Sequence, residues 1–254
     1  MELTLKDVCF FRTFFRRDTI CGRQKKEPEF EDPSFIPAPK EELKETKENA
    51  FRILYIGNSI TRHGICLEPL KWDHIAGMAA STEENDYAHR LAALIQTTMP
   101  ERKVELYFGN VNEYLRKPVG TAFDKSLQHP DLVVIQTGEH EGPKKTKEEV
   151  AQIYELQLVK PFAEMNPRPL ILCTGLWYVD TSYRGWVKNI NDAYREVCEK
   201  YAIPFVSVES LACDPSCRGW GEHRGVKWHP NDKGMEGYAT LLFAAFQKAN
   251  ILQE

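Results

Sequence analysis

The sequence predicts a three-layer α/β/α fold built on a doubly wound, mainly parallel sheet of five strands. Short, continuous apolar runs recur from Phe51 onward, each the length of a strand buried on both faces. Stretches of helical period lie between them, and no internal repeat interrupts the alternation. Right-handed crossovers would then gather the strand carboxyl ends along one edge.

Residues 1–50 are expected to form an amino-terminal arm and linker, and residues 51–254 the main domain. In the arm, Phe10, Phe11, Phe14 and Phe15 recur at helical spacing among Arg12, Arg16 and Arg17. So apolar a face needs cover, from the body or from a second subunit, which makes a homo-oligomer through the arm an expectation. From Arg23 to Asn49 the charges alternate in sign, and Pro28, Pro33, Pro37 and Pro39 break regular structure, as in an extended linker.

The strand candidates are Arg52–Ile56, Val104–Phe108, Leu132–Gln136, Leu170–Thr174 and Phe205–Val208. A helix is predicted over Glu83–Thr98, with Ser81 and Glu84 spaced as a capping box. A second opens at Thr146, with Glu149 in the same role, and runs to about Lys160, where Pro161 disturbs it. A third spans Trp186–Tyr201, and the last runs from about Lys233 to Ala249. Two longer insertions follow strand ends: residues 62–82, with Trp72 and His74, and residues 175–187, with Trp177, Tyr178, Tyr183 and Trp186. Aromatics there suit either a packed lid or the faces of sugar rings.

Composition bounds the partners. A chain of 254 residues, 42% hydrophobic and 28% charged, fits a soluble globular domain with an appendage. A net charge of −4 gives no reason to expect nucleic acid. The absence of any apolar run of about 18 residues gives none to expect a membrane span. Val8–Phe11, cut by Arg12, is too short for a secretory signal, and seven scattered cysteines suit reduced thiols, so a cytoplasmic protein is expected. A zinc site around Cys213 and Cys217 would need two further ligands, with only His223 near, so neither a metal nor a cofactor is expected.

Chemistry concentrates in three places. The apolar run from Phe51 ends in Gly57-Asn58-Ser59, and the polar residues after it can open a helix, with the Ser59 N–H at its amino end. Gly57 stands where a Gly-x-Ser-x-Gly elbow has its first glycine, but Thr61 replaces the second, so this is not that elbow. Near the carboxyl end, Trp228-His229-Pro230-Asn231-Asp232 fixes His229 on a loop just before a helix that Asn231 or Asp232 can cap. A serine hydroxyl needs such a base within hydrogen-bond reach to act as a nucleophile near neutral pH. Between them, the strand from Leu132 runs into Gly138-Glu139-His140-Glu141, where donors would face an oxyanion.

Taken together, Gly57-Asn58-Ser59, Pro130-Asp131 with Gly138, and His229-Pro230 resemble the blocks of the SGNH hydrolases, the GDSL-like lipase/esterase family, over about residues 51–250. The resemblance implies a flavodoxin-like sheet, Ser59 as nucleophile and His229 as its base. It implies an oxyanion hole from the Ser59 and Gly109 N–H groups, with Gly77 a weaker alternative to Gly109. His140 stands where the family has an asparagine, and Val226 where it has the aspartate that orients the histidine. Glu222 or Asp214 from the same loop, or a backbone carbonyl, would have to take that part. Asn58, Glu139, Trp177 and Trp228 are the candidates for substrate contact. The implied activity is cofactor-free hydrolysis of small O-acyl esters, O-acetyl foremost, with a carbohydrate preferred because of the loop aromatics. Two other readings stay open: a degenerate member that binds a glycan or acyl ligand without turnover, and an acyltransferase.

Overall fold

A computed structural model describes residues 35–36, 50–110, 129–141, 143–179 and 185–251. Five strands form one wholly parallel sheet: β1 (Phe51–Gly57), β2 (Val104–Asn110), β3 (Leu132–Ile135), β4 (Leu170–Thr174) and β5 (Phe205–Val206). Their order is β2-β1-β3-β4-β5, the flavodoxin-like order. The winding reverses between β1 and β3, so the crevice at their carboxyl ends is the place where such sheets bind ligands.

The central strands are apolar on both faces because both are covered. Ile53, Tyr55, Leu132, Val134 and Leu172 pack on one side against Leu91 and Ile95 of α1 (Tyr87–Thr98) and Tyr238, Leu242 and Phe246 of α7 (Asp232–Ile251). Leu54, Ile56, Val133, Ile135, Ile171 and Cys173 face the opposite way, onto Val150 and Tyr154 of α2 (Lys147–Tyr154) and Ile190, Tyr194 and Val197 of α4 (Gly185–Lys200). The period-two alternation thus splits every strand between two cores, and the architecture is three-layered. Shorter helices α5 (Glu209–Cys213) and α6 (Arg224–Trp228) lie between β5 and α7.

Several local expectations change for identifiable reasons. The helix expected from Glu83 is split into a single 3₁₀ turn (Glu83–Asn85) and α1. Asp86, extended and fully buried, is the N-cap: its carboxylate accepts from the His89 N–H at 2.9 Å and from the Gly77 N–H at 3.1 Å. Ser81 caps nothing there; its N–H and hydroxyl donate instead to Asp232, at the start of α7. The capping box of Thr146 and Glu149 is present in full. The helix it opens passes through Pro161: a π-helical turn (Glu155–Val159) precedes a last turn, α3 (Lys160–Ala163), with the proline near its start. Strand β5 is two residues long because β4, its one neighbour among the described residues, ends at Thr174, and the chain turns into α5 at Glu209.

Of the arm, Phe35–Ile36 and Ala50 are described; Phe35–Ile36 pairs antiparallel with Ile65–Cys66. The expected aromatic helix face and oligomer contact lie outside the described residues. Among those described, no helix is long and apolar enough to cross a membrane.

Candidate active site

The turn after β1 is built by its smallest and its most hydrogen-bonded residues. A Cβ on Gly57 would lie 1.8 Å from the Thr61 hydroxyl, so only glycine lets the chain fold back this closely. The Asn58 carbonyl accepts from the N–H groups of Thr61 and Arg62, both at 2.9 Å, and the Met78 N–H fixes the Ser59 carbonyl at 2.7 Å. Residues 59–61 therefore form a single turn, not the first turn of a helix: beyond it His63 bridges to Ala76 and the chain enters the short strand Ile65–Cys66. The expected helix dipole behind Ser59 is absent from this turn.

Ser59 and His229, 170 positions apart, meet with Oγ 2.7 Å from Nε2. His229 caps the carboxyl end of α6 and is fully buried. Its backbone is held by its N–H on the Val226 carbonyl (3.1 Å) and by the Gly219 N–H on its own carbonyl (2.6 Å). Its Nδ1 lies 2.6 Å from the Gly225 carbonyl. A carbonyl can only accept, so Nδ1 carries the proton and Nε2 is left to accept from the serine hydroxyl. Burial first, with smaller contributions from the neighbouring His63 and His140, lowers the His229 pKa to about 3 against the opposing pull of the Gly225 carbonyl. The imidazole is neutral at ordinary pH.

The orienting carboxylates expected from the same loop do not reach it. Asp214 accepts from the N–H and hydroxyl of Ser216 and from Lys233 Nζ, all at the surface, and these donors hold its pKa low. Glu222 is exposed. Val226 is buried in the apolar core, and the carbonyl of its neighbour Gly225 stands in for the carboxylate.

The expected oxyanion donors divide. The ladder that begins with the Phe51 N–H on the Lys103 carbonyl (2.8 Å) alternates along β1 and β2 in the register Phe51↔Val104 to Gly57↔Asn110. That parity commits the Gly109 N–H to the Tyr55 carbonyl, inside the sheet. Gly77, the alternative, donates to Asp86. His140 follows Gly138, whose φ of +119° only glycine adopts readily, and it is close enough to His229 to depress that residue's pKa. Burial lowers the pKa of His140 as well, so it too is neutral, with one ring N–H.

Of the candidate substrate contacts, Asn58 is buried beside the serine with its Oδ1 unpartnered. Trp228 is half-buried, its ring edge-on to His229 with centroids 5.2 Å apart. Trp177 is fully buried and faces no substrate: its indole N–H donates to the Trp228 carbonyl at 2.8 Å, which makes it part of the packed lid. Glu139 is also buried, its Oε1 taken by Gln136 Nε2 at 2.7 Å and the Trp177 N–H at 3.2 Å. Burial raises its pKa to about 7. The reading of motifs passed over His63, four residues after the serine and buried, and Trp220, 45% exposed, with its indole N–H on the Ala79 carbonyl. His63 stands inside the stretch already singled out, so its place near the site was within reach of sequence; the exposure of Trp220 was not.

A parallel sheet with a hydrogen-bonded serine–histidine pair at its topological switch point defines a class of fold: a three-layer α/β protein of flavodoxin-like strand order. No protein-family model matches the chain, and no curated protein sequence matches it. Solved structures do. One is LAE5, an alpha/beta hydrolase enzyme from the metagenome of Lake Arreo, Spain, at 18% identity and TM-score 0.53, covering 78% of this chain and 95% of that one. Another is CEX, a two-domain esterase active on acetylated mannans, at 20% identity and TM-score 0.52, covering 78% of this chain and 49% of that one. A third is Axe2, an acetylxylan esterase from Geobacillus stearothermophilus, at 18% identity and TM-score 0.50, covering 79% and 94%. At these identities the likeness establishes the fold.

Proposed function

We propose that this chain is a serine esterase of the SGNH type that hydrolyses small O-acyl esters, O-acetyl groups on carbohydrate foremost. The observation that carries the reading is the 2.7 Å contact between Ser59 Oγ and a His229 whose tautomer is set by the Gly225 carbonyl. Ser59 attacks the acyl carbon while its proton passes to Nε2, and the carbonyl oxygen becomes an oxyanion. The Ser59 N–H and the His140 ring N–H are the donors assigned to it. His229 then returns the proton to the departing alcohol, leaving an acyl-serine. Water repeats the sequence, with His229 as base and then acid. The sugar preference is supported by the aromatic surfaces of Trp228 and Trp220 beside the His229 loop, and by the acetylated polysaccharides on which CEX and Axe2 are described as acting.

The test is turnover of a short-chain aryl acetate by the parent and by Ser59→Ala. Equal turnover would remove Ser59 from the mechanism. One observation favours a second reading, a non-catalytic binder: among the described residues the Gly225 carbonyl, not a carboxylate, faces His229 Nδ1, and burial, with two neighbouring histidines, disfavours the imidazolium that catalysis must form. A fluorophosphonate probe separates the readings, because an unactivated serine reacts no faster than a surface hydroxyl.

A further inference from the structure

Beneath the serine–histidine pair runs a chain of buried hydrogen bonds with no part in the proton transfers just described. Thr61, two residues after the nucleophile, donates its single hydroxyl proton to Gln136 Oε1 at 3.1 Å, so the Tyr87 hydroxyl is the donor in its 2.8 Å contact with Thr61. Gln136 Nε2 donates to Glu139 Oε1 at 2.7 Å. The same oxygen accepts the Trp177 N–H at 3.2 Å, and the Trp177 indole donates to the Trp228 carbonyl at 2.8 Å, one residue before the base. Thr61, Tyr87, Gln136, Glu139 and Trp177 are all buried, so water does not compete for these bonds.

The path links the ends of β1, β3 and β4 to the His229 loop. Glu139 is its central member, because a single oxygen holds the strand side and the loop side together. An alanine there would leave the Gln136 amide and the Trp177 N–H buried without an acceptor. A glutamine would keep the acceptor in place, since its carbonyl oxygen can occupy the position of Oε1.

We infer that Glu139 is a positioning residue for the Ser59–His229 pair, setting through Gln136 and Trp177 the separation between the turn that carries the hydroxyl and the loop that carries the imidazole. It touches neither reacting group. This role rests on the esterase reading for its kinetic consequence but not for its structural one. A displacement of about 1 Å in such a pair can cost about 100-fold in rate.

The experiment uses the full chain with Glu139→Ala, Glu139→Gln and Trp177→Phe. On an aryl acetate, Glu139→Ala lowers kcat by about 100-fold with KM within about twofold, and Glu139→Gln recovers all but about tenfold. Trp177→Phe, which removes the indole N–H, matches Glu139→Ala, and the double variant is no worse than about threefold below either, because both cut one path. A second readout needs no turnover: the proton NMR resonance of the His229 Nδ1–H exchanges with solvent faster in Glu139→Ala and Trp177→Phe, but not in Glu139→Gln. An unchanged exchange rate in both, or a Glu139→Gln as impaired as the alanine, overturns the role. If the parent turns over no ester, the esterase reading falls, and the exchange rates still decide the role of Glu139. If Glu139→Ala does not fold, Trp177→Phe against the parent decides it.

Discussion

His229 Nδ1 lies 2.6 Å from the Gly225 carbonyl oxygen, in the place where a serine–histidine–aspartate triad has its carboxylate. A carbonyl fixes the tautomer as well as a carboxylate does, since both accept only. It carries a partial charge instead of a full one, so it stabilises the imidazolium less. The loss in a triad of about 10⁴ in rate follows mainly from the wrong tautomer, and this arrangement avoids that part of it.

If His229 and Ser59 act as one unit, their removals are not additive. Ser59→Ala and His229→Ala each lower kcat on an aryl acetate by about 10⁴-fold or more, and the double variant loses little beyond either single one. Steady-state kinetics on the three proteins is the check. A double variant that multiplied the two losses would mean that the two residues act independently.

Restoring an acid at residue 226 is expected to fail. Val226 is buried in the apolar core that also holds Leu70 and Trp72, and Nδ1 already has its partner. Val226→Asp therefore places a carboxyl in an apolar site without a donor, which destabilises the fold by about 3 kcal/mol and gives no gain in kcat. Urea unfolding monitored by tryptophan fluorescence measures the first, and a rise in activity would refute the second.

Stability should depend on pH through buried groups, His229, His63, His140 and Glu139 among them. Burial lowers His229 to about 3 and His63 to about 4, against 6.5 in the unfolded chain. The unfolded state alone takes up these protons, so their contribution is complete above pH 6.5 and is lost as pH falls toward 4 and then 3. Glu139 works the other way: burial raises it from 4.5 to about 7, so the native state keeps a proton that the unfolded chain releases, and stability falls as pH rises through that window. With His63, His229 and His140, which burial also lowers, against one glutamate, net stability climbs between pH 4.5 and 6.5, and Glu139→Gln steepens the climb. Urea midpoints across this range read the slope directly; a Glu139→Gln slope no steeper than the parent's counts against a raised Glu139.

Much of this was legible in the sequence, and the exceptions share a cause. Strands such as Ile53–Ile56 are local and apolar throughout, so their burial needs no knowledge of what covers them. Gly57-Asn58-Ser59 and His229-Pro230 are short motifs whose places follow from strand and helix ends. Gly109 failed as a donor because ladder parity, set by the Phe51 pairing with Lys103, decides where its N–H points. Trp177 and Glu139 stand on loops where a ligand contact was a candidate role, yet both are buried by partners far away in the chain, Trp177 against the Trp228 carbonyl and Glu139 against the Trp177 N–H. Ser81 lost its cap to Asp86 because Asp86 also serves Gly77, a tertiary contact that no local spacing announces.

The close turn at Gly57 offers the most local test of the site. A methyl group there would sit 1.8 Å from Thr61 Oγ1 and 3.1 Å from the Gln136 carbonyl. The Thr61 hydroxyl cannot simply swing away, because Tyr87 and Gln136 hold it from both sides. Gly57→Ala must therefore push the turn off β3 or break those bonds, at a cost of about 2–3 kcal/mol. Because Ser59 rides on that turn, kcat falls by about 10–100-fold in the fraction that folds, while Thr61→Ser, which keeps the hydroxyl, stays near the parent. Urea unfolding and kinetics on the two variants settle it: a Gly57→Ala protein of parental stability and rate would mean that the turn carrying Ser59 is looser than this geometry requires.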